Sequence, residues 1–443
     1  MKRKVLFLFL GLILLFVVGC SSDSDDNTTS EEEGEEPVEI SYMTAPADSE
    51  GAEQFIEEEI IGAFEEDNPD IDVNWITNED PATLQRQQLA SGGGPDVILM
   101  DGASTLSQFQ KADYLVPLDE YADEYGWSDR YADWAYDIGF SDGELYGLPS
   151  EFESLLIWYN KDLFEQNGWE PPNNFEEFMS LNQSIHENGQ MPFSFGTTDF
   201  RTANEWWLSV VFNAYVGPER FKEVLQNKIP WTDDVVQGAV ETYRDMWQEG
   251  YISDQQSHAI STDDAWSLFY NEQSAMHMEG TWSLTRFSTD SPSFEVDYFV
   301  MPPWREDVEE NVPIALGESG GINANSEHTE EAARFLDWYY GEEIAQKWLN
   351  HGKFLPVNSV DPNESEELGA LGASVYETLQ SAFEEDRTGY AAWTYWGANS
   401  EQYLWENIDG VLLGETPVEE YLEMTQEQAE RDEEEDLLFE FEE

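Results

Sequence analysis

The sequence predicts an α/β protein built as at least two lobes, and two observations carry this. Between residues 38 and 100, two-residue alternation and helical spacing take turns in the order strand, helix, strand, helix, strand. That order at that spacing gives parallel strands joined by right-handed crossovers. The roughly 400 residues that follow an acidic leader also exceed what one hydrophobic core sustains, so the chain must divide.

Taken in order, residues 38–44 alternate with Ile40 and Tyr42 on one face. Ile56, Ile60 and Phe64 recur at helical spacing, and that helix stops before Pro69. Ile71, Val73 and Trp75 alternate as a second strand. A helix over 82–90 ends at Gly92-Gly93-Gly94, and Pro95-Asp96 opens an apolar strand over 97–100. Ligands of such sheets sit beyond the carboxyl ends of the strands. Asp101 is at such an end, where it serves equally as a ligand group or as a cap for the segment around Ser104.

Beyond 115 the elements are mixed. Asp142-Gly143 is a tight turn between short strands, 155–159 is an apolar strand, and a helix starts at 160–164. Pro171-Pro172 breaks the chain before a helix near Asn174, and 200–290 is mainly helical. A strand near 299–303 ends in prolines, and 312–323 is extended and interrupted by glycines. A capped helix follows, with Ala332, Phe335, Leu336 and Tyr339 on one face. Residues 426–443 form an acidic tail, read as a frayed helix end.

The ends and composition bound the compartment. Lys2, Arg3 and Lys4 precede an apolar run closed by Gly19 and Cys20, a secretory signal (residues 1–19) too short to be read first as a membrane span. Val17-Val18-Gly19-Cys20 resembles the bacterial lipobox, which implies acylation of Cys20 and an extracytoplasmic, membrane-anchored protein. Cys20 is the single cysteine, so no intramolecular disulfide forms although export would permit one. Residues 20–37 are acidic and too polar to order themselves, hence a disordered tether. Acidic residues number 95 against 19 basic, a net charge of −76 spread along the chain, which excludes nucleic acid as a partner. Such self-repulsion is tolerated where salt shortens the Debye length to ~3 Å, and a halophilic acidic surface is the reading taken, with alkaline or simple low-salt acidity as alternatives.

Five segments, in order, resemble the family 1 extracellular solute-binding proteins, the sugar-binding group that includes the maltose-binding protein. They are Ala90-Ser91-Gly92 leading to Pro95-Asp96-Val97; residues 142–149; Trp158 to Phe164 with Pro171-Pro172; Ala275-Met276 through Gly280 and Trp282; and 320–336. Residues 353–358 resemble that family's late turn. The resemblance spans about 38–425. It implies a type II periplasmic-binding-protein-like fold with hinge strands between two lobes and a ligand in the interlobe cleft. The expected N-lobe is 38–151 with 303–348 and the C-lobe 154–298 with 350–425, with hinge strands near 152–156 and 298–302. It also implies a carbohydrate, mono- or oligosaccharide, passed to the permease subunits of an ABC transporter by a monomeric carrier that is not an enzyme.

A sugar's hydroxyls donate well to carboxylates, and its C–H faces pack on aromatic rings, so its cleft interleaves acids with Trp or Tyr. In the related proteins a ligand carboxylate stands at the position of Glu153, with Glu151 as rival, and a stacking aromatic at the position of Trp282. Asp199 follows a strand-like segment and is a candidate, and Glu318 beside Ser319 and Gly320 is another. Of the adjacent Trp206 and Trp207, only one can face a given core. Trp393 and Trp396, with Tyr390 and Tyr395, lie in a glycine-flanked segment that reads as a stacking wall or as loop anchors.

Two decoys fall away on chemistry. Gly317-Glu318-Ser319-Gly320-Gly321 matches an esterase elbow, but the residues after it read as strand where the elbow needs a helix. His186, His258, His277, His328 and His351 lack metal-ligand spacing, and no cofactor motif is present. The alternative function is a secreted glycoside hydrolase, since paired carboxylates among aromatics also describe that site.

Overall fold

The computed structural model describes residues 37–45, 50–78, 81–253, 256–289, 291–357, 360, 362, 365, 368–439 and 441, with backbone only at 50–52, 101, 133, 134, 201, 288 and 289. The expected signal, Cys20 and all but the last residue of the expected tether lie outside these residues. Its strands are β1 Val38–Thr44, β2 Ile71–Thr77, β3 Val97–Asp101, β4 Phe140–Ser141, β5 Glu144–Leu145, β6 Leu148–Pro149, β7 Phe152–Asn160, β8 Met191–Ser194, β9 Ser274–Gly280, β10 Val296–Phe299, β11 Val312–Leu316, β12 Glu318–Ile322 and β13 Thr388–Tyr390.

Two mixed sheets organise the chain. The first has the order β2-β1-β3-β12-β6, and the second runs β13-β11-β7-β9-β8 with β10 added to β7. In the first, β1 pairs parallel with β2 from Val38↔Ile71 to Thr44↔Thr77 and parallel with β3, as the alternating pattern predicts. Strand β12 lies antiparallel on β3, setting Glu318 opposite Asp101. The core of this lobe packs Ile40, Tyr42 and Phe64 against Phe335, Leu336 and Tyr339 of the helix Thr329–Tyr339, the apolar face read from the sequence. Every residue of β7 is buried, because the strand is flanked on both sides by β11, β9 and β10. The helix Asn204–Val216 is buried almost all round, as a helix inside a lobe must be.

The chain passes from the first sheet to the second at Ser150-Glu151, between β6 and β7. It returns at Gly317, between β11 and β12, and crosses a third time between Leu349 and the helix Gly369–Glu384. This corrects the expected boundary at 303. Trp304 belongs to the second lobe's core, and β11 pairs with β7 and β13, so 303–316 is part of the second lobe. The expected hinge at 298–302 moves with it, since Tyr298 pairs with Trp158 inside the second sheet. The extended segment 312–323 is in fact two strands of different sheets, divided at Gly317.

The acidic C-terminal stretch is also corrected. The helix Val418–Glu434 continues through it, with Ala429 and Asp432 buried. Asp432 accepts hydrogen bonds from the backbone N–H of Asn399 (2.7 Å) and Ser400 (2.9 Å) and from the Ser400 hydroxyl (2.7 Å), capping the helix Ala398–Leu412. Farther on, Phe439 packs on Tyr395, and Phe441 on both Tyr390 and Tyr395. Asp432→Ala is expected to lower stability by about 1–3 kcal/mol, through a lost cap and orphaned amides. Denaturant unfolding reads this, and a change within error would mean the stretch is dispensable.

Candidate functional site

Where the lobes meet, the backbone leaves no room for side chains. Gly102, at φ +61° after β3, sits so close to the carbonyl of Trp393 that a Cβ would stand 1.5 Å from its oxygen. Its N–H donates to the carbonyl oxygen of Gly317 at 2.9 Å. A Cβ at Gly317 would in turn lie 2.4 Å from the Glu153 carboxylate. Glycine at both positions is what lets the first lobe close onto the segment carrying Trp393.

From this seam a row of rings runs into the second lobe. Trp393 meets Trp282 at 6.0 Å between centroids, Trp282 meets Trp206 at 5.4 Å, and Trp206 meets Phe200 at 5.9 Å. Trp282 follows β9 directly and folds its indole back over Gly280, where a Cβ would stand 2.1 Å from the ring. Phe200 is 48% exposed, a large apolar ring left at the rim. Phe200, Trp206, Trp266 and Trp282, with Thr262, Ser283, Glu279 and Arg286, enclose a cavity of about 200 Å³.

Two buried carboxylates are tied to this row. Glu153 accepts from Trp393 Nε1 at 3.1 Å, and Glu279 accepts from Trp282 Nε1 at 3.0 Å. Each indole N–H thus fixes an acid beside it, with Trp282 partly buried at the cavity and Trp393 only 9% exposed in the second lobe's core. Arg286 lies over the Trp266 ring at 5.0 Å and pairs with Asp263 at 3.6 Å. Rings, acceptors and one guanidinium give the site both partners that a polyol with apolar faces requires.

The structure thus brings together Glu153, Trp206, Trp282 and Trp393 from the expected set. It resolves the Trp pair: Trp207 is sealed against Phe193 and Tyr243, and Trp206 lines the cavity. One expectation is corrected, and two further residues are found with protein partners of their own. Trp396 is 1% exposed among Phe212, Phe221 and Trp231, because the helix Ala392–Tyr395 turns its indole away from Trp393 and into the core. Asp199 spends its carboxylate on the N–H and hydroxyl of Thr262, at 2.8 and 2.9 Å, at the start of the helix Thr262–Tyr270. Glu318 turns to Lys353 (3.6 Å), which also meets the rival acid Glu151 at 3.4 Å. The side chain of Asp101 lies outside the described residues; its backbone ends β3 opposite Glu318.

Lys353 was not anticipated. Burial pulls its ammonium down, but Tyr339, Glu151, Glu318 and Tyr340 together hold it well above the usual lysine value. Glu279, His277, Trp266 and Arg286 were missed too. A readable signal existed in β9, where His277 and Glu279 are the polar pair at alternate positions of an apolar strand that runs into Trp282. Among the described residues no group of His, Cys, Asp or Glu is arranged to hold a metal ion.

Comparison with known proteins agrees with this architecture. The family model for the bacterial extracellular solute-binding proteins matches residues 47–346. The multiple sugar-binding protein of Streptococcus mutans is 24% identical over 382 residues, covering 84% of this chain and 86% of its own. The osmoprotective compounds-binding protein of Synechocystis is 25% identical over 293 residues, covering 64% and 68%. Among solved structures, a chitin oligosaccharide binding protein superposes with a TM-score of 0.79 at 20% identity, covering 89% of this chain and 99% of that one. A match across more than half the sequence, carried on the same two-lobed fold, makes this chain a member of the bacterial extracellular solute-binding protein family.

Proposed function

We propose that the chain captures a carbohydrate between its lobes outside the cytoplasm and hands it, chemically unchanged, to an ABC importer. The observation that carries this is the row Phe200, Trp206, Trp282 and Trp393 with Glu279 and Glu153 bonded to its indoles. Trp206, Trp282 and the exposed Phe200 line the cavity and offer ring surface to a sugar face. The relatives named for sugars support the same ligand class. The row belongs to the second lobe, and the backbone of Trp393 at its inner end packs against Gly102 of the first. A ligand in the cavity that also reaches the first lobe therefore binds the closed arrangement better. In this reading Cys20 carries the lipid that holds a monomeric carrier at the outer face of the membrane, and the acidic surface suits a saline exterior.

The test is a thermal-shift screen in high salt with glucose, maltose, maltotriose, raffinose and N,N′-diacetylchitobiose. A ligand of the folded state raises the melting temperature by mass action, about 2.7 kcal/mol at a hundred times Kd. At least one sugar is expected to do so and to be recovered without new reducing ends. A new reducing end would instead point to hydrolysis.

A further inference from the structure

The geometry points to His277 as a positioning residue that holds Glu279 ready to accept ligand hydroxyls, with Ser194 behind it. This rests on the carbohydrate reading and adds to it the acid and the relay that orient the ligand. Strands β8 and β9 are parallel neighbours, and Ser194 stands in register with His277. The Ser194 hydroxyl lies 2.9 Å from His277 Nδ1, and His277 Nε2 lies 2.9 Å from Glu279 Oε2. The other oxygen, Oε1, accepts from Trp282 Nε1 at 3.0 Å. Ser194 and His277 are buried, and the imidazole is packed by Trp266 (4.1 Å between centroids) and Phe269 (5.9 Å).

These contacts determine what Glu279 does. An ionised carboxylate only accepts, so Nε2 must carry the proton on that side of the imidazole. The two packing rings fix the imidazole plane, and Ser194 fixes which way its edges point. Glu279 therefore meets one donor on each oxygen and cannot swing toward either. A carboxylate has about four acceptor positions, and two are taken. Glu279 lines the cavity beside Trp282, so the acid is held in one orientation before ligand arrives. Such preorganisation spares the ligand the cost of ordering it. A neighbouring pair of sugar hydroxyls stacked on Trp282 is the donor set that matches.

The experiment compares wild type, Glu279→Gln, His277→Leu, His277→Gln and Ser194→Ala in the full mature chain, titrated with the five-sugar panel. Glu279→Gln and His277→Leu are expected to weaken the tightest sugar by about tenfold, as loss of a charge-assisted acceptor does. His277→Gln keeps an N–H donor toward Glu279 and should recover most of that loss. Ser194→Ala should cost about threefold and serves if His277→Leu fails to fold. The indole N–H signal of Trp282, read by nitrogen-edited NMR without ligand, should shift in His277→Leu because its acceptor is released. Wild-type affinity in a folded His277→Leu, or equal losses in His277→Leu and His277→Gln, overturns the positioning role. If no panel sugar binds wild type, the carbohydrate reading fails on its own. The indole signal then still decides: a shift supports the relay, and an unmoved signal overturns it.

Discussion

Trp282→Ala is expected to weaken sugar binding by about tenfold or more while the protein stays folded. The indole is the middle of the row, 5.4 Å from Trp206 and 6.0 Å from Trp393, so its loss removes the ring surface it gives the cavity. A stacking ring is worth about 1–3 kcal/mol, by analogy with bases on aromatic side chains. The same change removes the N–H that Glu279 accepts, leaving one oxygen of that acid unpaired. Folding suffers less, because Trp282 is only partly buried at the cavity edge, packed against the second lobe's core without belonging to it. Fluorescence or calorimetric titration reads the affinity, and circular dichroism reads the fold. An unchanged Kd would remove Trp282 from the site.

The second large effect concerns stability. Lys353→Met is expected to cost about 3 kcal/mol, the low end for breaking a buried ion pair, since Glu318 is still 35% exposed. Its ammonium joins the three places where the chain changes lobes: Glu151 flanks the first crossing, Glu318 the second, and Lys353 stands on the third. The crossings are also stitched by backbone bonds, Gly317 N–H to Glu151 O at 2.9 Å, Ser150 N–H to Glu318 O at 2.8 Å and Phe152 N–H to Phe354 O at 2.8 Å. Removing the cation leaves two acids facing each other without it. Neutralising both in the same background, with Glu151→Gln and Glu318→Gln, should return much of the loss. Denaturant unfolding checks both statements, and a loss below about 0.5 kcal/mol for Lys353→Met would place the pair among surface contacts of little weight.

What could be read from the sequence was what local periodicity encodes. The strands and helices of 38–101 show in windows of a dozen residues, and the turns at Asp142-Gly143 and Pro171-Pro172 mark themselves by composition. The division at Gly317 could not show this way, because β11 and β12 are both extended and only pairing partners tell their sheets apart. Asp432 looked like one acid among many in a charged stretch, and its burial depends on amides 33 and 32 residues away. Of the candidate site, the order of motifs pointed to Trp282 and Glu153, which stand at the cavity and at the seam. The choice between Trp206 and Trp207, and the loss of Trp396 to the core, depended on helix rotation. His277 and Glu279 were overlooked because a histidine in an apolar strand reads as a satisfied core residue until its neighbours are known.

A carrier that holds sugar on indole faces, as proposed, buries apolar surface on binding. Titration at several temperatures reveals this even where the heat at one of them is near zero. Calorimetric titration of the wild-type chain in high salt with the same five sugars should return one site per molecule for at least one of them, with a negative heat-capacity change from apolar burial. Silence with all five, alongside clear binding of an amine, a peptide or a small osmolyte, would contradict the account.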